Sequence, residues 1–233
     1  MPTRVLDVGT ASNPRLRLQV NNKSSPISPY VTLSHCWGKI QIKRLTKANI
    51  SQLAECIDVN ELTKTFQEAI IIARRLGVKF LWIDSLCIIQ DSIKDWNKES
   101  SAMGDVYKNA LCNIAATAAP DGHTGCFLER NPLLARTCRL RIEGLPGLAP
   151  KSQVYDLTRV DFWKQAISAA PLVQRAWFLQ ERILAPRVIH FGKNQLLWEC
   201  HELVSVPDCL CRCRRCVFHI KYYISRHYSG RQF

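Results

Sequence analysis

The sequence predicts an α/β protein, an open parallel sheet flanked by helices, with a C-terminal helix and β-hairpin. Three observations predict it. Tyr30-Val31-Thr32-Leu33-Ser34 is apolar and β-branched, bounded by Pro29 and Gly38. Leu62, Phe66, Ala69, Ile70, Ala73 and Leu76 then recur at helical spacing, and Gly77 stands where a helix end favours a left-handed residue. A strand beginning near Val78 is again apolar from Phe80 to Ile83, and strand, helix, strand makes the two strands parallel. This second strand turns polar at Asp84-Ser85. Open α/β sheets place their ligand sites outside the carboxyl ends of such strands.

Taken in order, residues 1–29 are polar, with Pro14, Pro26 and Pro29, and read as a leader or domain edge. Alternation over residues 15–20 suggests one short strand there. Residues 30–200 form the α/β domain. Residues 39–61 read as mixed loop and short helix. A second helix is expected from about residue 93 to 109. Leu111-Cys112-Asn113-Ile114-Ala115-Ala116 is a third strand. Residues 131–170 are weakly patterned. A helix from Arg175 to Leu184 stops before Pro186, and two apolar runs around Gly192-Lys193-Asn194 signal a hairpin. Residues 201–233 are a basic tail rich in cysteine and arginine, expected to be poorly ordered.

Composition narrows the function. The 233 residues are 47% hydrophobic, which supports a core. No run is long and apolar enough to span a bilayer, and the N-terminus lacks a signal-peptide pattern, so a cytoplasmic protein is expected. The 11 cysteines lie mostly in apolar segments and read as buried thiols rather than a disulfide framework. The net charge of +13 concentrates in the tail, where Arg212, Arg214, Arg215, Lys221, Arg226 and Arg231 meet no acid. No aromatic-interleaved basic motif accompanies it, so nucleic acid is not the expected partner. Phosphate-loop, dinucleotide-fingerprint, zincin and nucleophile-elbow motifs are absent.

Candidate chemistry sits at the strand ends. Ser34, His35, Trp37, Asp84 and Ser85 make a polar crevice with aromatic walls, suited to a nucleotide or another flat polar ligand. On the second helix, Ile93, Trp96, Met103, Val106, Tyr107 and Ala110 form one apolar stripe. Glu99 falls inside that stripe, at about 300° when Trp96 is set to zero. An inward carboxylate must find a partner, lose its charge or face a cleft. His35 and Cys36 point to opposite faces of a strand and form no dyad with each other. Cys209, Cys211, Cys213, Cys216, His219 and His227 lack two matched ligand pairs, so no metal site is expected.

Three blocks resemble the heterokaryon incompatibility (HET) domain of filamentous fungi. They are Tyr30-Val31-Thr32-Leu33-Ser34-His35-Cys36-Trp37-Gly38, the stretch from Leu81 to Asp91 continuing through Trp96, Glu99 and Met103 to Ala110, and Arg175-Ala176-Trp177-Phe178-Leu179-Gln180-Glu181-Arg182 with Trp198-Glu199-Cys200. The resemblance implies an effector of non-self recognition and programmed cell death, acting with a regulatory recognition protein or as a homo-oligomer. That family is distantly similar to TIR domains, which implies a flavodoxin-like sheet and, in some members, cleavage of NAD. NAD is then a substrate and no bound cofactor is implied. Some TIR enzymes carry a catalytic glutamate after a helical tryptophan, which implies a catalytic role for Glu99 beside Trp96. Ser34, His35, Trp37, Asp84, Ser85 and Trp96 would bind the substrate. The rival reading is a non-enzymatic module that signals by assembly. The Cys/Arg-rich end resembles no extension of the family and reads as a truncated or alternatively spliced terminus.

Overall fold

The computed structural model describes residues 1–22, 24, 26–131, 138–142, 153–157, 164–200 and 203–205. Its centre is four mutually parallel strands: β3 (Tyr30–Ser34), β4 (Phe80–Trp82), β5 (Cys112–Ala115) and β8 (Arg187–Phe191). Across the sheet they run β4-β3-β5-β8. Numbered by chain order, that is second, first, third, fourth, the flavodoxin-like arrangement. The sheet is thus an open α/β sheet, as the sequence predicts. Buried on both faces, its parallel strands read as continuous apolar runs, and β3 is buried throughout.

The edges are antiparallel. β1 (Arg4–Gly9) pairs with β4 and with β2 (Pro14–Val20), and β9 (Leu196–Cys200) joins β8 to β10 (Leu203–Ser205). The eight strands run β10-β9-β8-β5-β3-β4-β1-β2. The polar N-terminal segment therefore supplies two strands, and every residue of β1 is buried. Its alternation is hidden because Arg4 and Asp7 are buried among Val5, Leu6 and Val8 and paired there. A separate two-stranded sheet pairs β6 (Cys138–Ile142) with β7 (Gln153–Leu157), inside the weakly patterned region. The cysteine-rich end lies outside the described residues.

Helices α1 (Ile50–Glu55), α2 (Lys64–Arg75), α3 (Asp84–Cys87), α4 (Ile93–Lys108) and α5 (Ala176–Leu184) cover the sheet. The crossover β3-α2-β4 runs one way along the sheet and β4-α4-β5 runs back, so right-handed connections put α2 and α4 on opposite faces. α2 buries Phe66, Ala69, Ile70 and Ala73, the predicted stripe. The Ser92 hydroxyl accepts from the Asp95 N–H at the start of α4, and Asp95 in its first turn suits the helix dipole. One expectation fails here. Ile93 and Trp96 belong to the helical stripe, yet they are 82% and 48% exposed. The stripe meets the core only from Met103 onward, where Val106, Tyr107 and Ala110 are buried and Met103 packs against the same cluster.

Candidate functional site

The site forms where β3 and β4 end. After Ser34 the chain turns through His35-Cys36-Trp37-Gly38, with Gly38 at a φ of 67°. A Cβ at Gly38 would stand 2.6 Å from the Asp121 Cβ. The turn points the Trp37 indole at Asp84, whose Oδ2 accepts from Trp37 Nε1 at 3.1 Å. Gly38→Ala should cost at least about 1–2 kcal/mol for the left-handed backbone alone. Thermal melting checks this, and an unchanged midpoint would contradict it.

Asp84 is the hub. Its Oδ1 accepts from the Ser85 N–H at 2.7 Å, His35 Nδ1 lies 3.9 Å away, and Arg175 Nη2 lies 3.9 Å from Oδ2. Arg175 also donates to the His35 carbonyl and stands 4.0 Å from Glu181 Oε1. Trp37, Asp84, Trp96, Arg175, Trp177 and Glu181 surround a cleft of about 200 Å³, with Gln90, Ser100 and Met103 on its wall. Three indoles thus meet two carboxylates and one guanidinium. Trp37 already takes a cation, for the Arg44 guanidinium lies 5.1 Å from its ring centre.

Glu181 is the perturbed group. Only 3% exposed, it has an Oε2 with no hydrogen-bond partner. Burial pushes its carboxyl above the usual carboxylate range, Arg175 and the hydroxyls of Ser34 and Tyr107 oppose the shift, and Asp84 adds to it. A clamp holds its helix in place. Arg182, the next residue, grips Glu199 on β9 in a bidentate pair at 2.7 and 2.9 Å. His190 Nε2 meets the same carboxylate at 3.0 Å, and His190 Nδ1 meets the Thr117 hydroxyl at 3.0 Å. Burial alone would raise the Glu199 pKa, but the bonds from His190 and Arg182 hold it at about 2.

Of the residues singled out in the sequence, Trp37, Asp84 and Trp96 line this cleft. Ser34, His35 and Ser85 are buried. The Ser34 hydroxyl is pinned by Asn113 Nδ2 at 2.9 Å, and Ser85 Oγ has no hydrogen-bond partner. Glu99 points inward as its position on the helix requires, but it is not among the lining residues. Its Oε1 lies 3.7 Å from Nη2 of the buried Arg4. Arg175, Trp177 and Glu181 were not singled out as site residues. The test that found Glu99 finds Glu181 too, for it lies three residues from Phe178 and these two are the buried positions of α5. The buried cysteines near the strands offer no ready thiolate: burial pushes Cys36 up, and Cys87 and Cys112 to about 12. Among the described residues no group of three or more His, Cys, Asp or Glu could hold a metal, and no helix is long and apolar enough to cross a membrane. The tail cysteines and histidines lie outside those residues.

His35 gives the fold a pH dependence. Burial lowers its pKa from 6.5 to about 4, against the pull of Asp84. Between those values the unfolded chain binds the proton and the folded chain does not, so stability rises with pH. It is complete above about pH 6.5 and is lost as pH falls toward 4, by on the order of 3 kcal/mol from this one group. Urea unfolding of wild type and His35→Gln across this range checks it. The wild-type slope should be the steeper, and equal slopes would contradict the assignment.

A family model described as Heterokaryon incompatibility protein (HET) matches residues 30–181. No curated protein and no solved structure matches the chain.

Proposed function

From a chain that belongs to the heterokaryon incompatibility (HET) family, we propose an effector of non-self recognition and cell death whose cleft binds NAD and cleaves its nicotinamide–ribose bond. One observation carries the reading. Beyond the carboxyl ends of β3 and β4, three tryptophans surround Asp84, Glu181 and Arg175. Each part suits a part of NAD. An indole stacks on the cationic nicotinamide ring. Arg175 answers the pyrophosphate. A carboxylate faces the ribose, where charge develops.

In the reaction the ribose C1′–N bond breaks and nicotinamide leaves with the bonding pair as a neutral molecule. The ribosyl cation left behind resembles the oxocarbenium of glycoside hydrolysis. Water adds at C1′ and loses its proton, giving ADP-ribose. The cleft carboxylates stabilise the cation and take the proton. Asp84 is already held by Trp37 and the Ser85 N–H, so Glu181, the other carboxylate that lines the cleft, takes the ribose-facing role. Glu99 remains a proposal of the family resemblance, and the same assay decides between the two.

Purified protein at high concentration is incubated with NAD, and nicotinamide is followed by chromatography. Wild type is expected to release it. Loss of release in folded Glu181→Gln assigns the carboxylate to α5, and loss in folded Glu99→Gln alone returns it to α4. No release by wild type at any concentration sinks the enzymatic reading.

A further inference from the structure

We infer that the outer face of α5, with the exposed first turn of α4, is a self-association surface that takes a second copy of this chain. α5 turns Phe178 and Glu181 inward and leaves Trp177, Leu179 and Ile183 exposed at 56, 62 and 60%. Ile93 and Trp96 of α4 are exposed as well. The two helices share one surface. A Cβ at Gly104 of α4 would lie 3.2 Å from Leu184 Cδ1, and Trp96 and Trp177 wall the same cleft. A shallow groove of about 430 Å³ runs along α5, lined by Ala176, Trp177, Leu179, Gln180, Ile183 and Leu184. None of the six is ionisable.

Area and charge name the occupant. Trp177, Leu179 and Ile183, with Trp96 across the cleft, offer on the order of 500 Å², two of them indoles. That is near the top of what a monomer leaves bare and short of the roughly 800 Å² per partner of a standard interface. It fits a dimer that forms with rising concentration rather than an obligate one. The chain carries +13 net charge, so an acidic partner would be drawn to its basic surface and not to a groove without charge. A two-fold dimer sets this apolar face against itself, so no like charges meet within the groove. The inference stands whether or not the cleft cleaves NAD. Because Trp96 and Trp177 belong to both features, assembly would also reshape the mouth of the cleft.

Sedimentation velocity of the full chain tests this, from low to high micromolar concentration and at low and high salt. The expected result is a monomer–dimer equilibrium that tightens with salt, because screening removes the repulsion between basic copies. Leu179→Lys with Ile183→Lys, both at exposed positions, should weaken association at least about tenfold without changing the melting midpoint. A wild type that stays monomeric overturns the inference and leaves the face to a foreign partner. So does a double variant that dimerises like wild type, or association that weakens with salt.

Discussion

Glu181→Gln should lower nicotinamide release by about 10²–10⁴-fold while the protein melts no earlier than wild type. The two halves come from one cause. A carboxyl whose pKa burial has raised is less stable ionised in the folded chain than in the unfolded one. Glutamine keeps the shape and removes the charge, so the fold loses a cost while the cleft loses the anion that would face the ribosyl cation. Such opposition of stability and activity marks a group kept for chemistry. The rate profile should agree. In the proposed role the ionised form acts, so activity should fall on the acid side at a pH above the usual carboxylate range. Nicotinamide release measured beside thermal melting checks both. A folded variant that keeps full activity would remove Glu181 from the reaction, and one that melts earlier would contradict the cost assigned to its burial.

Arg4→Met should destabilise the protein by about 3–5 kcal/mol, the loss expected when one partner of a buried charge cluster is removed. Arg4 is 6% exposed. Its Nε donates to the Cys87 carbonyl at 2.6 Å, its Nη2 to Asp95 Oδ2 at 2.5 Å, and Glu99 lies 3.7 Å away. It therefore ties β1 to the end of α3 and to α4. Methionine leaves two carboxylates, Asp95 with the Ile89 N–H at 2.9 Å and Glu99, 3% exposed, with the exposed Lys98 at 3.6 Å. A fall in melting temperature on the order of 10 °C is expected for a chain of this size. Adding Glu99→Gln should restore part of it, since the neutral amide no longer needs the guanidinium. If the double variant is no more stable than Arg4→Met alone, Glu99 is not a structural partner of Arg4.

Much of this fold can be read along the chain. The parallel sheet follows from runs such as Tyr30–Ser34, where burial on both faces selects unbroken apolar sequence. α2 ends where Gly77 allows it to, at a φ of 73°. The inward turn of Glu99 follows from 3.6 residues per turn. The strand ends Trp37 and Asp84 follow from the rule that such sheets bind ligands at their carboxyl edge. β1 was not legible, because Arg4 and Asp7 look like surface residues until their partners Asp95 and Arg15 arrive from elsewhere.

Local pattern and period thus determined the α/β class, the main helices and strands, and the neighbourhood of the site, because those depend on residues within a few positions of one another. Only the tertiary structure decided which carboxylate faces the cleft. Glu99 and Glu181 both lie on buried helical positions, and periodicity tells inside from outside but not one neighbour from another. Arg4 reaches Glu99 across 95 residues of chain, while α5 brings Glu181 beside Arg175 at the wall of the cleft that Asp84 also lines. Pairing between distant segments is set by sheet order and helix packing, and no local stretch of sequence encodes it.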